Sequence, residues 1–120
     1  AEFPGTLGVD SDAVLADNLK KLNDGCPKPW VLLSAGVDYP QYKKQVEMAM
    51  KAGCSGILGG RAFWKEFFTY PGAAERQKFA ETECVGRVQE LDAIVKAGTP
   101  WFSKYGYTQD ELAGLRAAEG

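Results

Sequence analysis

Two short apolar runs, WVLLSA at residues 30–35 and SGILG at residues 55–59, each end in small residues and are each followed by a helical pattern. This alternation constrains the chain more than any other feature. A continuous apolar run reads as a strand of a parallel sheet buried on both faces. Strand and helix in strict alternation imply right-handed crossover units. AEFPG at the amino end reads as the last residues of a strand, because Pro4 and Gly5 stop a ladder. The order is therefore strand end, helix, strand, helix, strand, helix, then further helices.

Local signals place the helices. Asp10, Ser11 or Asp12 can cap a helix to about Asn23 that carries Leu15, Leu19 and Leu22 on one face, with Gly25 and Pro27 ending it. Tyr42, Val46, Ala49 and Gly53 line one face of a helix over about 39–52. A short helix runs from Arg61 to about Phe68, stopped by Tyr70-Pro71-Gly72. Residues 73–97 form one long amphipathic helix with Cys84, Val88, Leu91 and Val95 in a stripe. Thr108 and Glu111 make a capping box for a last helix, with Tyr107 and Leu112 at staple positions.

Two full strands and a strand end are too few for a parallel sheet covered on both faces. The expected fold is α/β, the carboxyl-terminal part of a (β/α)8 TIM barrel, a fold of about 250 residues in full. It comprises the end of the sixth strand, the seventh and eighth strands, and extra carboxyl-terminal helices. Residues 1–72 are the last βα units, and residues 73–120 a helical extension of the same domain. The 120 residues suffice for one ordinary domain, and a first residue of alanine is read as a processed or cut amino end.

Composition excludes several functions. The net charge of −2, from 14 basic and 16 acidic residues without a basic block, gives no electrostatic reason for nucleic acid or an anionic membrane. No apolar stretch reaches the roughly 20 residues of a membrane span, and no signal peptide opens the sequence. Histidine is absent, and Cys26, Cys54 and Cys84 are widely spaced, which argues against a Cys/His metal site. Reduced, mostly buried thiols in the cytoplasm or another reducing compartment are expected.

In a barrel, ligands sit at the carboxyl ends of the strands, and the last two strands frequently form a phosphate site. Ser34, Ala35 and Gly36 end the first apolar run; Gly59 and Gly60 end the second, where Arg61 opens a helix. Backbone N–H groups, a hydroxyl and a planar guanidinium fork suit a phosphate or sulfonate. Two readings compete here: the small residues also serve tight turns, and the arginine also extends to water. Asp38 is either a helix cap or part of a site. Trp30, Phe63 and Trp64 are read as packing residues, and Lys43, Lys44 and Lys51 as solvated.

PWVLLSAGVD, AGCSGILGGRAFWKE and AGTPWFSKY together resemble the carboxyl-terminal part of class I aldolases of the tagatose bisphosphate aldolase type, over roughly residues 1–106. Sulfofructose phosphate aldolase is similar in the same stretches. The resemblance implies a (β/α)8 barrel that cleaves a ketose phosphate to dihydroxyacetone phosphate and an aldehyde. The reaction passes through a Schiff base on a lysine, with neither metal nor other cofactor. It implies that Ser34, Gly36, Gly59, Gly60 and Arg61 are anion-binding positions. The family's Schiff-base lysine lies in Lys-x-Glu-apolar-Pro; Ala1, Glu2, Phe3 and Pro4 match its last four positions, and the lysine would precede Ala1. Glu2 is then a neighbour of the active site, while the acid/base carboxylate and the other substrate contacts lie on earlier strands. The expected ligand is a phosphorylated sugar or another small phosphate or sulfonate ester.

Three functional readings follow. The chain is the phosphate-binding part of an aldolase; or it is a catalytically inactive, aldolase-like subunit of a larger assembly; or it is a stand-alone flavodoxin-like domain, for which the strands are too few. In the first two, the rest of the barrel, an oligomer mate or a larger complex covers the sheet edges.

Overall fold

A computed structural model describes the backbone of residues 1–119 and the side chains of residues 1–115. Gly120, at the end of the predicted helical extension, lies outside the described residues. The chain runs α1 (Asp12–Gly25), β1 (Val31–Leu33), α2 (Tyr39–Lys51), β2 (Gly56–Leu58) and α3 (Arg61–Trp64), which continues as a 3-10 turn over Lys65–Thr69. Then α4 (Ala73–Phe79), a π-helical turn (Ala80–Cys84) and α5 (Val85–Lys96) follow without a break. A 3-10 turn over Trp101–Tyr105 and α6 (Gln109–Glu119) complete it.

Side-chain caps set the starts of the main helices. Ser11 is the cap of α1, accepting from Val14 N–H, and the helix behind it buries Leu15 and Leu19. Asp38 caps α2 by accepting from Gln41 N–H at 3.1 Å, which decides its role in favour of the cap. At α6, Thr108 and Glu111 form the reciprocal capping box: Thr108 N–H donates to Glu111 at 2.7 Å and Glu111 N–H donates to Thr108 Oγ1 at 3.3 Å.

The strands β1 and β2 pair in parallel, Val31 with Gly56, Leu32 with Ile57 and Leu33 with Leu58. Ala1 extends this pattern on the other edge of β1. Its amino group donates to Val31 O and its carbonyl accepts from Leu33 N–H, both at 2.8 Å. Those two bonds are the parallel-ladder pattern of a residue opposite Leu32. Ala1 thus pairs with β1 on the edge away from β2.

Leu32 is fully buried beneath α2, where Tyr42, Val46 and Ala49 are also fully buried and Tyr42 Oη donates to Leu32 O at 2.9 Å. The expectation of strands buried on both faces fails on the opposite side. Val31 is 40% and Leu58 62% exposed, whereas Leu32 is fully buried and Leu33 and Ile57 are half-buried. One helical layer packs on one face of the sheet, giving a slab with extents of 50 × 45 × 17 Å. The Cα radius of gyration is 17.0 Å, against about 13.5 Å for a compact chain of this length.

The expected single helix over 73–97 is interrupted by a π turn, and the predicted stripe is corrected at Val88. Leu91 is buried, Cys84 and Val95 are half-buried, but Val88 is 54% exposed. Phe79 and Leu91, both buried, would lie about 120° apart on an ideal α-helix; the extra residue of a π bulge reduces this to about 20°. The face that packs inward on α5 carries Arg87, Leu91 and Ile94, with the guanidinium of Arg87 where the stripe called for Val88. Among the described residues no helix is long and apolar enough to cross a membrane.

Candidate functional site

The turn after β1 is set by backbone geometry. Val37 N–H donates to Ser34 O at 3.1 Å, and both intervening residues have positive φ, Ala35 at 48° and Gly36 at 83°. This is the φ pattern of a type I′ turn. For Ala35 the left-handed region costs about 1–2 kcal/mol, so the turn is held against a local preference. Gly36 needs to be glycine for a second reason. A Cβ there would lie 2.9 Å from Nη2 of Arg61 and 3.4 Å from its Cζ. The guanidinium thus lies against the open flank of Gly36, across the carboxyl ends of two adjacent parallel strands.

Arg61 is exposed, and among the described residues it pairs with no carboxylate. Gly59 is required by packing and not by φ: a Cβ there would overlap Phe63 Cε2 and stand 2.9 Å from its Cδ2. The ring of Phe63 is held in turn by Tyr42, edge to face at a centroid distance of 6.3 Å. Gly60 precedes α3 with φ −127° and open space around its Cα. Ser34 is buried, and its N–H is taken by Leu58 O at 3.2 Å, leaving the hydroxyl as its free group. The five predicted anion-site residues therefore gather at one end of the sheet, with Arg61 and Gly36 in direct apposition.

Glu2 lies on the other flank of the turn. It shares a cleft of about 250 Å³ with Ala35, Val37, Gln41 and Gln45. Arg61 is not among the walls of that cleft. None of the chain's lysines occupies the carboxyl end of β1, of β2 or of the Ala1 segment. Trp30 is a packing residue, 7% exposed, and its Nε1 donates to Asn23. Lys43, expected to be solvated, is ion-paired with Glu90. Of the three thiols only Cys54 is buried, fewer than expected; all three are free, and burial pushes Cys54 and Cys84 up from the ordinary thiol range.

A polar clasp behind α3 escaped sequence reading. Arg87 Nη1 donates to the carbonyls of Ala62 and Phe63 at 3.3 and 3.0 Å. Both of its terminal nitrogens hold Glu66, at 2.9 and 3.1 Å. Its guanidinium also lies over the rings of Tyr39 and Phe79. Tyr39 Oη donates to Glu90, which also takes Lys43. The hydrogen bond from Arg87 holds the Glu66 carboxyl below its ordinary range. Burial first, and then Glu90, raise Tyr39 well above an ordinary phenol. The available signal was an arginine inside an apolar stripe, three residues after Cys84 and four before Leu91.

No protein-family profile matches the chain. It is similar to tagatose 1,6-diphosphate aldolase of Listeria monocytogenes, 30% identical over 101 residues covering 79% of the chain and 30% of that protein. The tagatose 1,6-diphosphate aldolase 1 of Streptococcus mutans is 32% identical over 93 residues, covering 72% of the chain and 28% of that protein. For the Lactococcus lactis tagatose 1,6-diphosphate aldolase the identity is 29% over 102 residues, covering 80% and 31%. The chain thus spans less than one third of the length of these relatives, and over most of its own length it is aldolase-like in sequence.

Proposed function

We propose that this chain is the phosphate-binding, carboxyl-terminal part of a (β/α)8 aldolase of the Schiff-base type. In its full-length form that enzyme cleaves a ketose phosphate or bisphosphate to dihydroxyacetone phosphate and an aldehyde. The observation that carries the reading is the guanidinium of Arg61 seated on Gly36, across the ends of two adjacent parallel strands. An unpaired, exposed fork beside a glycine-lined turn suits a phosphoryl group, which takes two N–H donors from one arginine. The strained Ala35 supports it, since a left-handed non-glycine residue persists where the surroundings hold it, and such residues cluster at ligand sites.

The chemistry at the scissile bond belongs to residues beyond these. A lysine at the end of the strand that Ala1 continues would form the iminium, which withdraws electrons from the breaking carbon–carbon bond. Glu2, in the cleft beside Ala35, stands two positions beyond that lysine's place. The role of the described residues is to fix the phosphate end of the substrate, so that its carbonyl carbon is held near that lysine.

Binding of inorganic phosphate and of dihydroxyacetone phosphate to the parent and Arg61→Ala chains, followed by NMR of the Gly36 and Gly60 amides, tests the site. Loss of a charge-assisted pair of hydrogen bonds, about 1.5–3 kcal/mol, predicts affinity at least about tenfold weaker. Equal affinities for the two chains would refute the assignment.

The exposed Val31 and Leu58 favour a second reading, an inactive aldolase-like subunit whose sheet face is covered by another chain. The intact mass of the natural protein separates the two. A longer polypeptide that borohydride traps with a ketose phosphate supports the enzyme, and a natural chain of this length supports the subunit.

A further inference from the structure

We propose that Arg87 is a positioning residue for the anion site, a role that rests on the assignment of Arg61 and Gly36 to that site. The helix α3 has four residues and no side-chain cap, so it has little stability of its own. It starts at Arg61, and the two carbonyls that follow belong to Ala62 and Phe63. Both accept from one nitrogen of Arg87, whose fork also closes on Glu66 in the next turn. The Sγ of Cys84 reaches the Phe63 carbonyl as well, at 3.3 Å. The segment from 61 to 66 is thus fastened by one guanidinium that is itself 14% exposed and flanked by two aromatic rings.

A rotation or slide of this segment displaces Arg61 from Gly36, because the two are one residue and one side chain apart from the fastened carbonyls. Phe63 makes the connection stiff: its ring fills the space at Gly59, the last residue before the anion turn's second half. The π turn over Ala80–Cys84 gives an independent indication. It adds the residue that realigns α5 with α4, and α5 then presents Arg87 to α3. Such bulges are frequent at functional sites.

Electrostatics and positioning make opposite predictions at Glu66, and the test uses that conflict. Removing a negative charge strengthens anion binding if charge alone matters. If the clasp positions Arg61, Glu66→Gln weakens binding of inorganic phosphate, about three- to tenfold, by loosening the segment. Arg87→Lys keeps the charge and loses the fork, so positioning predicts a similar loss and no rescue. The measurement is phosphate titration of the full chain for the parent, Arg61→Ala, Glu66→Gln and Arg87→Lys, with the Gly36 amide resonance recorded in each. Circular dichroism checks that each folds.

The expected result is a weaker phosphate site and a shifted Gly36 amide in both clasp variants, with helix content unchanged. Phosphate affinity in Glu66→Gln equal to or above the parent's overturns the positioning role while leaving the anion site intact. A parent that binds no phosphate, or an Arg61→Ala chain that binds like the parent, removes the anion site and with it this role.

Discussion

Gly59→Ala isolates the packing logic at the carboxyl end of β2. Two effects oppose each other. Replacing a glycine whose φ is not in the left-handed region restricts the unfolded chain and stabilises by about 0.4–1 kcal/mol. Against this, the new methyl overlaps Phe63 Cε2 and stands 2.9 Å from Cδ2 and 3.1 Å from Cζ. Ordinary carbon contacts lie at about 3.5–4.0 Å, so the ring must retreat by about 1–1.5 Å. Tyr42 and Tyr39 stand beside it, with ring centroids at 6.3 and 6.4 Å, and overpacking of this kind costs about 1–3 kcal/mol. Sterics win, and the net expectation is a destabilisation of about 1–2 kcal/mol. Urea unfolding followed by circular dichroism reads this as a midpoint lowered by about 0.5–1 M, at a slope of about 2 kcal/mol per M. Phe63→Leu in the same chain makes room for the methyl, so the double variant is expected to lose less than the sum of the singles, with a coupling of about 1 kcal/mol. Additive losses, or a Gly59→Ala midpoint equal to the parent's, would refute the claim that Gly59 is glycine because Phe63 occupies its side-chain space.

Three further outcomes follow from the same geometry. Glu66 is held below its ordinary range by Arg87, so the pair contributes stability above the unfolded carboxyl value, near 4.3, and loses it as pH falls through the lower folded value. The parent's acid-side loss of stability should therefore be reduced in Glu66→Gln, and unchanged pH profiles would count against the clasp. Tyr42 is pushed up to about 12 by burial, and Tyr39 is raised as well. Their neutral forms stabilise the fold below about pH 10, and that contribution is lost as pH rises through the folded values; phenolate absorbance should show a late-ionising component from Tyr39 and Tyr42 that is reduced in Tyr42→Phe. Leu58 lies 62% exposed on the open face of the sheet, so Leu58→Lys should change the unfolding free energy of this chain by less than about 0.5 kcal/mol. In a longer form that closes over that face, the same substitution should prevent folding or assembly, as judged by yield and light scattering.

Much of the local order was legible because it rests on short-range chemistry. Ser11, Asp38 and the Thr108–Glu111 pair cap where their side chains allow, and the apolar spacing of Leu15, Leu19, Tyr42 and Val46 places α1 and α2. The pairing of SAG with GGR was also legible, since each stretch ends a strand in residues that admit close backbone approach. The clasp and the π turn were not. A period of 3.6 residues assumes an uninterrupted helix, and the bulge shifts the phase between Phe79 and Leu91, while within α5 the inward position beside Leu91 is taken by Arg87 and not by Val88. Arg87 was passed over because its partners Glu66, Ala62 and Phe63 lie more than twenty positions away, and pattern reading within a window cannot see them.

The misjudged burial of the sheet carries the broader consequence. Val31 and Leu58 were expected to be covered because a continuous apolar run implies two packed faces. Leu32 meets that expectation, Leu33 and Ile57 are half-buried, and Val31 and Leu58 are exposed, so burial is imposed by what packs on the sheet and not by the composition of the strands. A sequence whose strands are apolar on both faces, in a chain that covers only one, encodes contacts it does not itself supply. That mismatch supports a sheet completed by further strands more strongly than it supports a finished flavodoxin-like domain, where both faces would carry helices from the same chain. The turn after β1 leads into the Asp38 cap of α2, and Arg87 holds the carbonyls of α3 beside it, both on the one face that is packed.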